Sequence, residues 1–196
     1  LTQISSTNIT AVKIAGITNE FSTISGVRED VLEILLNLRQ IVLKGFTKEK
    51  TYARLKIQGP AIITANSINF DLLPNITLVN PTQYIATILD KSIIEMEFSI
   101  ESGKNYTLST NQLTLTPSDF ITVEKISSPV QRVIFEVDET LSTKNQEELL
   151  LKIWTNGSIT PLEAVITIAE IIQKFFSSVN MKNIQKITKK NIDKQL

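Results

Sequence analysis

Between Asn8 and Ile17 the apolar residues Ile9, Val12 and Ile14 recur among polar neighbours, and the segment reads as a strand that ends at Gly16. From Val27 the spacing changes. Val27, Val31, Ile34, Leu35 and Leu38 fall on one face of a helix, with Ser25 as the expected N-cap. Glu29 and Asp30 are expected in its first turn, where carboxylates complement the helix dipole. Ile41 to Lys44 then reads as a strand closed by Gly45.

The middle of the chain, Thr51 to Val123, is strand-like throughout. Ala53, Leu55 and Ile57 alternate with Tyr52, Arg54, Lys56 and Gln58, and the turn pair Gly59-Pro60 follows. Further strands are expected at Ile62 to Thr64, Thr77 to Val79, Tyr84 to Leu89, Ile93 to Glu101 and Asn105 to Leu108. Such close spacing predicts a small, mainly antiparallel β module. Two more strands, Val130 to Asp138 and Glu148 to Thr155, precede the turn at Asn156-Gly157.

The last helix, Pro161 to Val179, has the strongest start signal. Thr160-Pro161-Leu162-Glu163 combines a capping box with proline at the first helical position. Ala164, Ile168, Ile171 and Phe175 lie toward one side of the wheel, and Val165, Ala169, Ile172 and Phe176 widen that surface. The apolar arc spans roughly 180°, against about 100° for a helix lying on a single sheet. Either the helix is sandwiched inside its own domain, or one side rests on its own sheet and the other on a partner. Periodicity allows both.

Composition narrows the functions open to the chain. Its 196 residues suffice for one generous domain or two small ones, and 42% hydrophobic content suits a folded protein. No stretch approaches the ~18 apolar residues of a membrane span. The balance of 20 basic and 20 acidic residues gives no overall bias toward nucleic acid. Lys182, Lys186, Lys189, Lys190 and Lys194 make the C-terminal end basic, which fits a solvated linker or a phosphate contact. Asn-x-Ser/Thr matches at Asn8, Asn75, Asn105 and Asn156 follow from the abundance of Asn and Thr. Histidine and cysteine are absent, which removes His-based triads and all His or Cys metal sites. No phosphate-binding glycine loop is present. The acids mostly fall at helix starts (Glu29, Asp30, Glu163) or in polar loops (Glu139, Glu147, Glu148), so no catalytic group, cofactor or metal is expected on this chain.

Three stretches carry a resemblance. The first runs from Ile14-Ala15-Gly16 through Glu20-Phe21-Ser22 and Gly26-Val27-Arg28-Glu29-Asp30 into Glu33 to Leu38. The second is Gln58-Gly59-Pro60 with Ile63-Thr64-Ala65 and then Asn80-Pro81-Thr82-Gln83-Tyr84-Ile85-Ala86. The third is Ser128-Pro129-Val130-Gln131-Arg132-Val133, followed by Trp154-Thr155-Asn156-Gly157-Ser158-Ile159-Thr160-Pro161. In order and spacing they resemble the alpha subunit of bacterial and plastid RNA polymerase, with Trp-Thr-Asn-Gly-Ser and Gln-Gly-Pro closer to the plastid branch. A preference for Ile, and for Lys over Arg, suits the AT-rich codons of plastid genomes. Asn19 and Tyr84 stand where family members often carry histidine. Family chains begin earlier, with two strands and a Leu/Arg-rich helix that ends near Leu1, and carry a separate C-terminal domain.

The resemblance implies an α+β fold with a discontinuous dimerisation module, antiparallel strands with packed helices, from residues 1–5 and 130–180. That module would carry an inserted, mainly antiparallel β subdomain over residues 6–129, with a basic tail over 181–196. Partners would be a second alpha copy and the beta and beta-prime subunits, with no direct nucleic-acid site, no membrane, and a plastid location, or a bacterial cytoplasm. The expected alpha–alpha interface is Ala164, Ile168, Ile171, Ile172, Phe175 and Phe176. The expected large-subunit contacts are Leu1, Glu20, Phe21, Ser22, Gly26, Glu33, Arg39 and Arg132. The rival reading is an unrelated homo-oligomeric binding module.

Overall fold

A computed structural model describes residues 4–103, 119–123, 128–138 and 148–177. Its element order is β1 (Ser6–Ile14), α1 (Val31–Leu38), β2 (Leu43–Gly45), β3 (Thr51–Gln58), β4 (Ala61–Thr64), a 3₁₀ turn (Ala65–Ser67), β5 (Ile76–Leu78), β6 (Tyr84–Ile88), β7 (Ile93–Gly103), β8 (Ile121–Thr122), β9 (Val130–Asp138), β10 (Glu148–Thr155) and α2 (Pro161–Ser177). All strand pairing among these elements is antiparallel, and with the two helices it makes an α+β fold. The expected strands of the middle region are present with ends shifted by one or two residues. Asn105 to Leu108, Val179 and the basic tail lie outside the described residues.

β1 sits in the middle of the main sheet, whose order is β3-β7-β1-β2-β5 with β8 also paired to β1. Strict alternation cannot put Ile9, Val12 and Ile14 on one face, because Ile9 and Val12 are three residues apart. The structure resolves this with a bulge. Ile9 pairs with Ile100 and Ala11 with Ser99, so Thr10 is the extra residue on β1 and the pleat changes phase there. All three apolar residues then enter one core with Phe98, Leu55, Ile85 and the inner face of α1.

α1 starts four residues later than its periodicity suggests. Val27 is engaged in a bridge to Ile88, with Arg28 N–H donating to the Thr87 carbonyl (3.0 Å) and Leu89 N–H to the Gly26 carbonyl (2.8 Å). An extended segment paired to β6 cannot also be a helical turn, so the tertiary pairing overrides the helical spacing. The N-cap is Asp30, with extended backbone and a carboxylate that accepts from Glu33 N–H at 2.7 Å. Ser25 caps nothing, and Glu29 faces β6 instead of the helix dipole. Val31, Ile34, Leu35 and Leu38 are buried, while Leu32 and Leu36 point outward.

A second, smaller cluster joins Ile4, Val130 and Ala164, with Ile153, Ile159 and Ile168 packed against it. The expected capping box forms. Thr160 N–H donates to Glu163 Oε2 at 2.8 Å, and Glu163 N–H donates to Thr160 Oγ1 at 3.2 Å. The Thr160 amide and hydroxyl hold the Glu163 carboxyl below its ordinary value. The turn before α2 passes close to Val79, just beyond β5, at Gly157, where φ is +88° and an added Cβ would lie 2.9 Å from Val79 Cγ1. No helix among the described residues is long and apolar enough to cross a membrane.

The corrected helix start generates a prediction. Asp30→Ala removes a bonded cap and is expected to lower unfolding free energy by ~0.5–2 kcal/mol, whereas Ser25→Ala leaves it within ~0.5 kcal/mol. Urea unfolding of the two variants checks this, and the reverse order would restore the earlier helix start.

Candidate docking surface

The loop between β1 and α1 is long but tied down at both ends and in the middle. Asn19 Oδ1 accepts from Phe21 N–H (3.1 Å) and from Ser22 Oγ (2.9 Å), so the Asn side chain folds the chain around Phe21. Val31 N–H donates to the Ser22 carbonyl (3.2 Å), and Thr23 bridges to Asp30. The chain then turns at Gly26, where φ is +77° and an added Cβ would lie 2.3 Å from Asp90 Oδ1. Past that turn it pairs with β6.

Beneath this loop lies a polar knot. Glu29 is 6% exposed. Its Oε2 accepts from Thr87 N–H at 2.7 Å, and its Oε1 accepts from Arg28 Nε at 2.8 Å and from the Tyr84 hydroxyl. Arg28 Nη2 also donates to the Tyr84 hydroxyl at 2.9 Å, and the guanidinium carbon stands 5.7 Å from the Tyr84 ring centre. Burial pushes the Glu29 carboxyl up, but the hydrogen bonds from Tyr84, Thr87 and Arg28 outweigh it and hold the group below its ordinary value. Burial and the bond to Glu29 push the Tyr84 phenol up.

The expected contact residues divide by position. Glu20 and Phe21 are exposed on the loop, Phe21 at 80%, with Ser22 half-buried behind them. Gly26 is half-buried at the turn. Glu33 is exposed in the first turn of α1, and Arg39 is exposed at its C-cap. These six lie on the loop before α1, on α1 itself or at its C-cap. Arg132 does not: it is on β9, exposed, with its guanidinium 5.3 Å from the Trp154 ring on β10. Leu1 lies outside the described residues. Sequence reasoning missed Leu32 and Leu36, although two leucines four residues apart off the core stripe were a signal for a second apolar face. It also assigned no part to Thr87 or to the Tyr84 hydroxyl, which only the folded chain brings to Glu29.

The expected interface residues of α2 separate as well. Ala164 is closed off inside its own chain, and Ile168 packs on the same small cluster, so this end of the stripe is covered by its own chain. Ile171 is half-buried, while Ile172, Phe175 and Phe176 are exposed. The β9–β10 hairpin carries cross-strand pairs Val133–Ile153, Phe135–Leu151 and Val137–Leu149 on one face, which is wholly apolar and exposed over its outer part.

A depression of about 290 Å³ on the outer face of the main sheet is lined by Lys13, Arg54, Lys56, Glu95 and Glu97. Those charges neutralise one another: Arg54 pairs with Glu97 at 2.9 Å, Lys56 with Glu95, and Lys13 with Asp119. Among the described residues no three acidic side chains converge as metal ligands.

The fold therefore defines an α+β protein built on a β-rich module, with its distinctive surface on a braced loop. A family model described as the RNA polymerase Rpb3/RpoA insert domain matches residues 12–127. The chain belongs to that family. It is 44% identical, over 100% of its length, to the DNA-directed RNA polymerase subunit alpha of Trieres chinensis, of which it covers 63%. Identity is 48% over 95% of the chain with the subunit of Thalassiosira pseudonana (59% covered) and 40% over 99% with that of Cyanophora paradoxa (62% covered). The chain thus spans about three fifths of the length of these relatives, which come from plastid-bearing organisms.

Glu29 makes stability depend on acid. Its folded value lies below the ordinary 4.5, so its contribution is complete above that value and is lost as pH falls through the folded one. Glu29→Gln is expected to lower unfolding free energy by ~1–3 kcal/mol at neutral pH, with the gap to wild type closing in acid. Urea unfolding of both proteins across that range checks it. A gap that stays constant with pH would show that the carboxylate charge contributes nothing.

Proposed function

We propose that this chain is the assembly-directing part of an RNA polymerase alpha subunit in the plastid stroma. It joins a second alpha copy through α2 and the β9–β10 face, and docks the beta and beta-prime subunits through the 18–28 loop and α1. It contributes no catalytic group to RNA synthesis. In this reading the dimerisation module is discontinuous, residues 1–5 with 130–180, and the subdomain of residues 6–129 is its insert. The two separate apolar clusters support that division, since Ile4 packs with Val130 and Ala164 while Ile9 to Val123 build the larger core.

The observation that carries the docking half is the position of Phe21. A phenylalanine 80% exposed, on a loop braced by hydrogen bonds and beside a helix presenting Leu32 and Leu36, is a preorganised apolar anchor. The dimer half rests on the exposed apolar surface, where Ile172 is half exposed and Phe176 is 65% exposed. A two-stranded hairpin is marginal alone, and its face with Ile172, Phe175 and Phe176 needs a cover.

Reconstitution with beta and beta-prime tests the first half. Phe21→Ala and Arg39→Glu are both expected to weaken assembly while leaving the melting temperature within a few degrees, since exposed changes cost little stability. Assembly unchanged in both would take the loop and α1 out of the interface. Sedimentation equilibrium tests the second half. Phe175→Ala is expected to raise the dimer dissociation constant roughly thirtyfold, as loss of a ~2 kcal/mol anchor requires, and Lys174→Ala to leave it nearly unchanged. A chain that is monomeric at high micromolar concentration ends that half.

A further inference from the structure

Glu29 is, among the described residues, the one buried ionisable side chain. Burying a carboxylate costs free energy that a packed apolar residue at the same place does not, so such a group is weak evidence of stability. What it does supply is geometry. Both its oxygens are engaged, and they join a loop residue, Arg28, to β6 through the Thr87 amide and the Tyr84 hydroxyl. Around Arg28 the consequence is specific. Glu29 holds Nε, the Tyr84 hydroxyl accepts from Nη2, and the guanidinium carbon is held near the Tyr84 ring. Yet the Arg28 side chain remains 62% exposed. A guanidinium oriented from its inner side and open on its outer side is set to receive a planar anion, because its fork matches a carboxylate in a way a lysine does not.

We propose that Arg28 is a recognition residue of the docking surface for a carboxylate side chain on a large subunit, and that Glu29 with Tyr84 positions it. The inference rests on the reading that the 18–28 loop docks such a subunit. Continuity supports it, since Arg28 follows Gly26 and Val27 on the same loop and pairs with β6 immediately beyond the turn. The buried groups facing Arg28 leave one cation partly neutralised by Glu29, so the expected attraction is short-range and directional. Among the described residues the charged or titratable groups of this knot are Arg28 and Glu29 from the loop and Tyr84 from β6.

The test measures the affinity of the chain for purified beta and, separately, beta-prime at several salt concentrations. Arg28→Ala is expected to weaken binding of one subunit tenfold or more and to flatten its salt dependence. Arg28→Lys, which keeps the charge on an exposed side chain, recovers only part of the loss because the fork is gone. Glu29→Gln weakens the same subunit, and in wild type that binding falls off in acid as Glu29 and the partner carboxylate protonate, whereas Glu29→Gln starts lower and shows only the smaller fall that the partner carboxylate causes. Phe21→Ala separates the two layers of the argument. If it weakens binding while Arg28→Ala and Arg28→Lys bind like wild type, Arg28 recognises nothing and this inference falls alone. If neither Phe21→Ala nor the Arg28 variants change binding of either subunit, the docking reading falls and takes this inference with it. A Glu29→Gln chain that melts lower but binds with wild-type affinity and pH profile would make Glu29 purely structural.

Discussion

Eight of the nine residues of β1 are buried, and a strand covered on both faces has no water to satisfy its backbone. Both edges must therefore be paired. β7 takes one edge along its whole length, while β2 near Thr7 and β8 at Ala11–Val12 divide the other. The polar side chains of β1 are tolerated inside because each finds a partner nearby. Thr7 meets Ser102 and the Gly45 carbonyl, Asn8 donates to Ser6, and Thr10 meets Ser99 and Glu101. The bulge at Thr10 then lets one strand feed Ile9 on one side of it and Val12 and Ile14 on the other into the same core. Sheet order, core and the path of the following loop all follow from where this strand has to lie.

The loop leaving β1 shows how a surface is made rigid without being buried. Its backbone is bonded to α1 at Ser22 and to β6 at Gly26 and Arg28, so Phe21 is displayed on a fixed frame. Ordering an exposed loop in advance removes part of the entropy that association would otherwise cost. That is the physical reason to expect a macromolecular partner here rather than a small molecule. The apolar side chains project outward, whereas the depression on the main sheet is filled with mutually paired charges.

The region around the second, smaller apolar cluster has the opposite character. Along the stripe Ala164, Ile168, Ile171 and Phe175 exposure rises toward the C-terminal end, so α2 is seated at one end and uncovered at the other. The hairpin beside it behaves the same way, with Ile153 in the small cluster and Phe135 and Leu149 in solvent. Such a gradient explains why an apolar arc of about 180° gave two answers at once. Part of it packs on the small cluster of its own chain, and the remainder, with Ile172 and Phe176, is exposed.

Much of this was legible in the residues. The alternation of β3, the capping box at Thr160 and Glu163, and the start of α2 depend on neighbours a few positions away, and local spacing encodes them. So did the family, since motif order along the chain survives without knowledge of contacts. Tertiary structure alone decided the start of α1, the bulge at Thr10, the fate of Glu29, and which half of α2 is exposed. In each case the deciding partner is remote in sequence: β6 for Val27, Arg28 and Glu29, β7 for Thr10, and Ile4 with Val130 for Ala164. A period of 3.6 residues placed Val27 on the helical stripe, but the Arg28 N–H and the Gly26 carbonyl on either side of it are bonded to Thr87 and Leu89, about sixty residues away, which holds the segment extended.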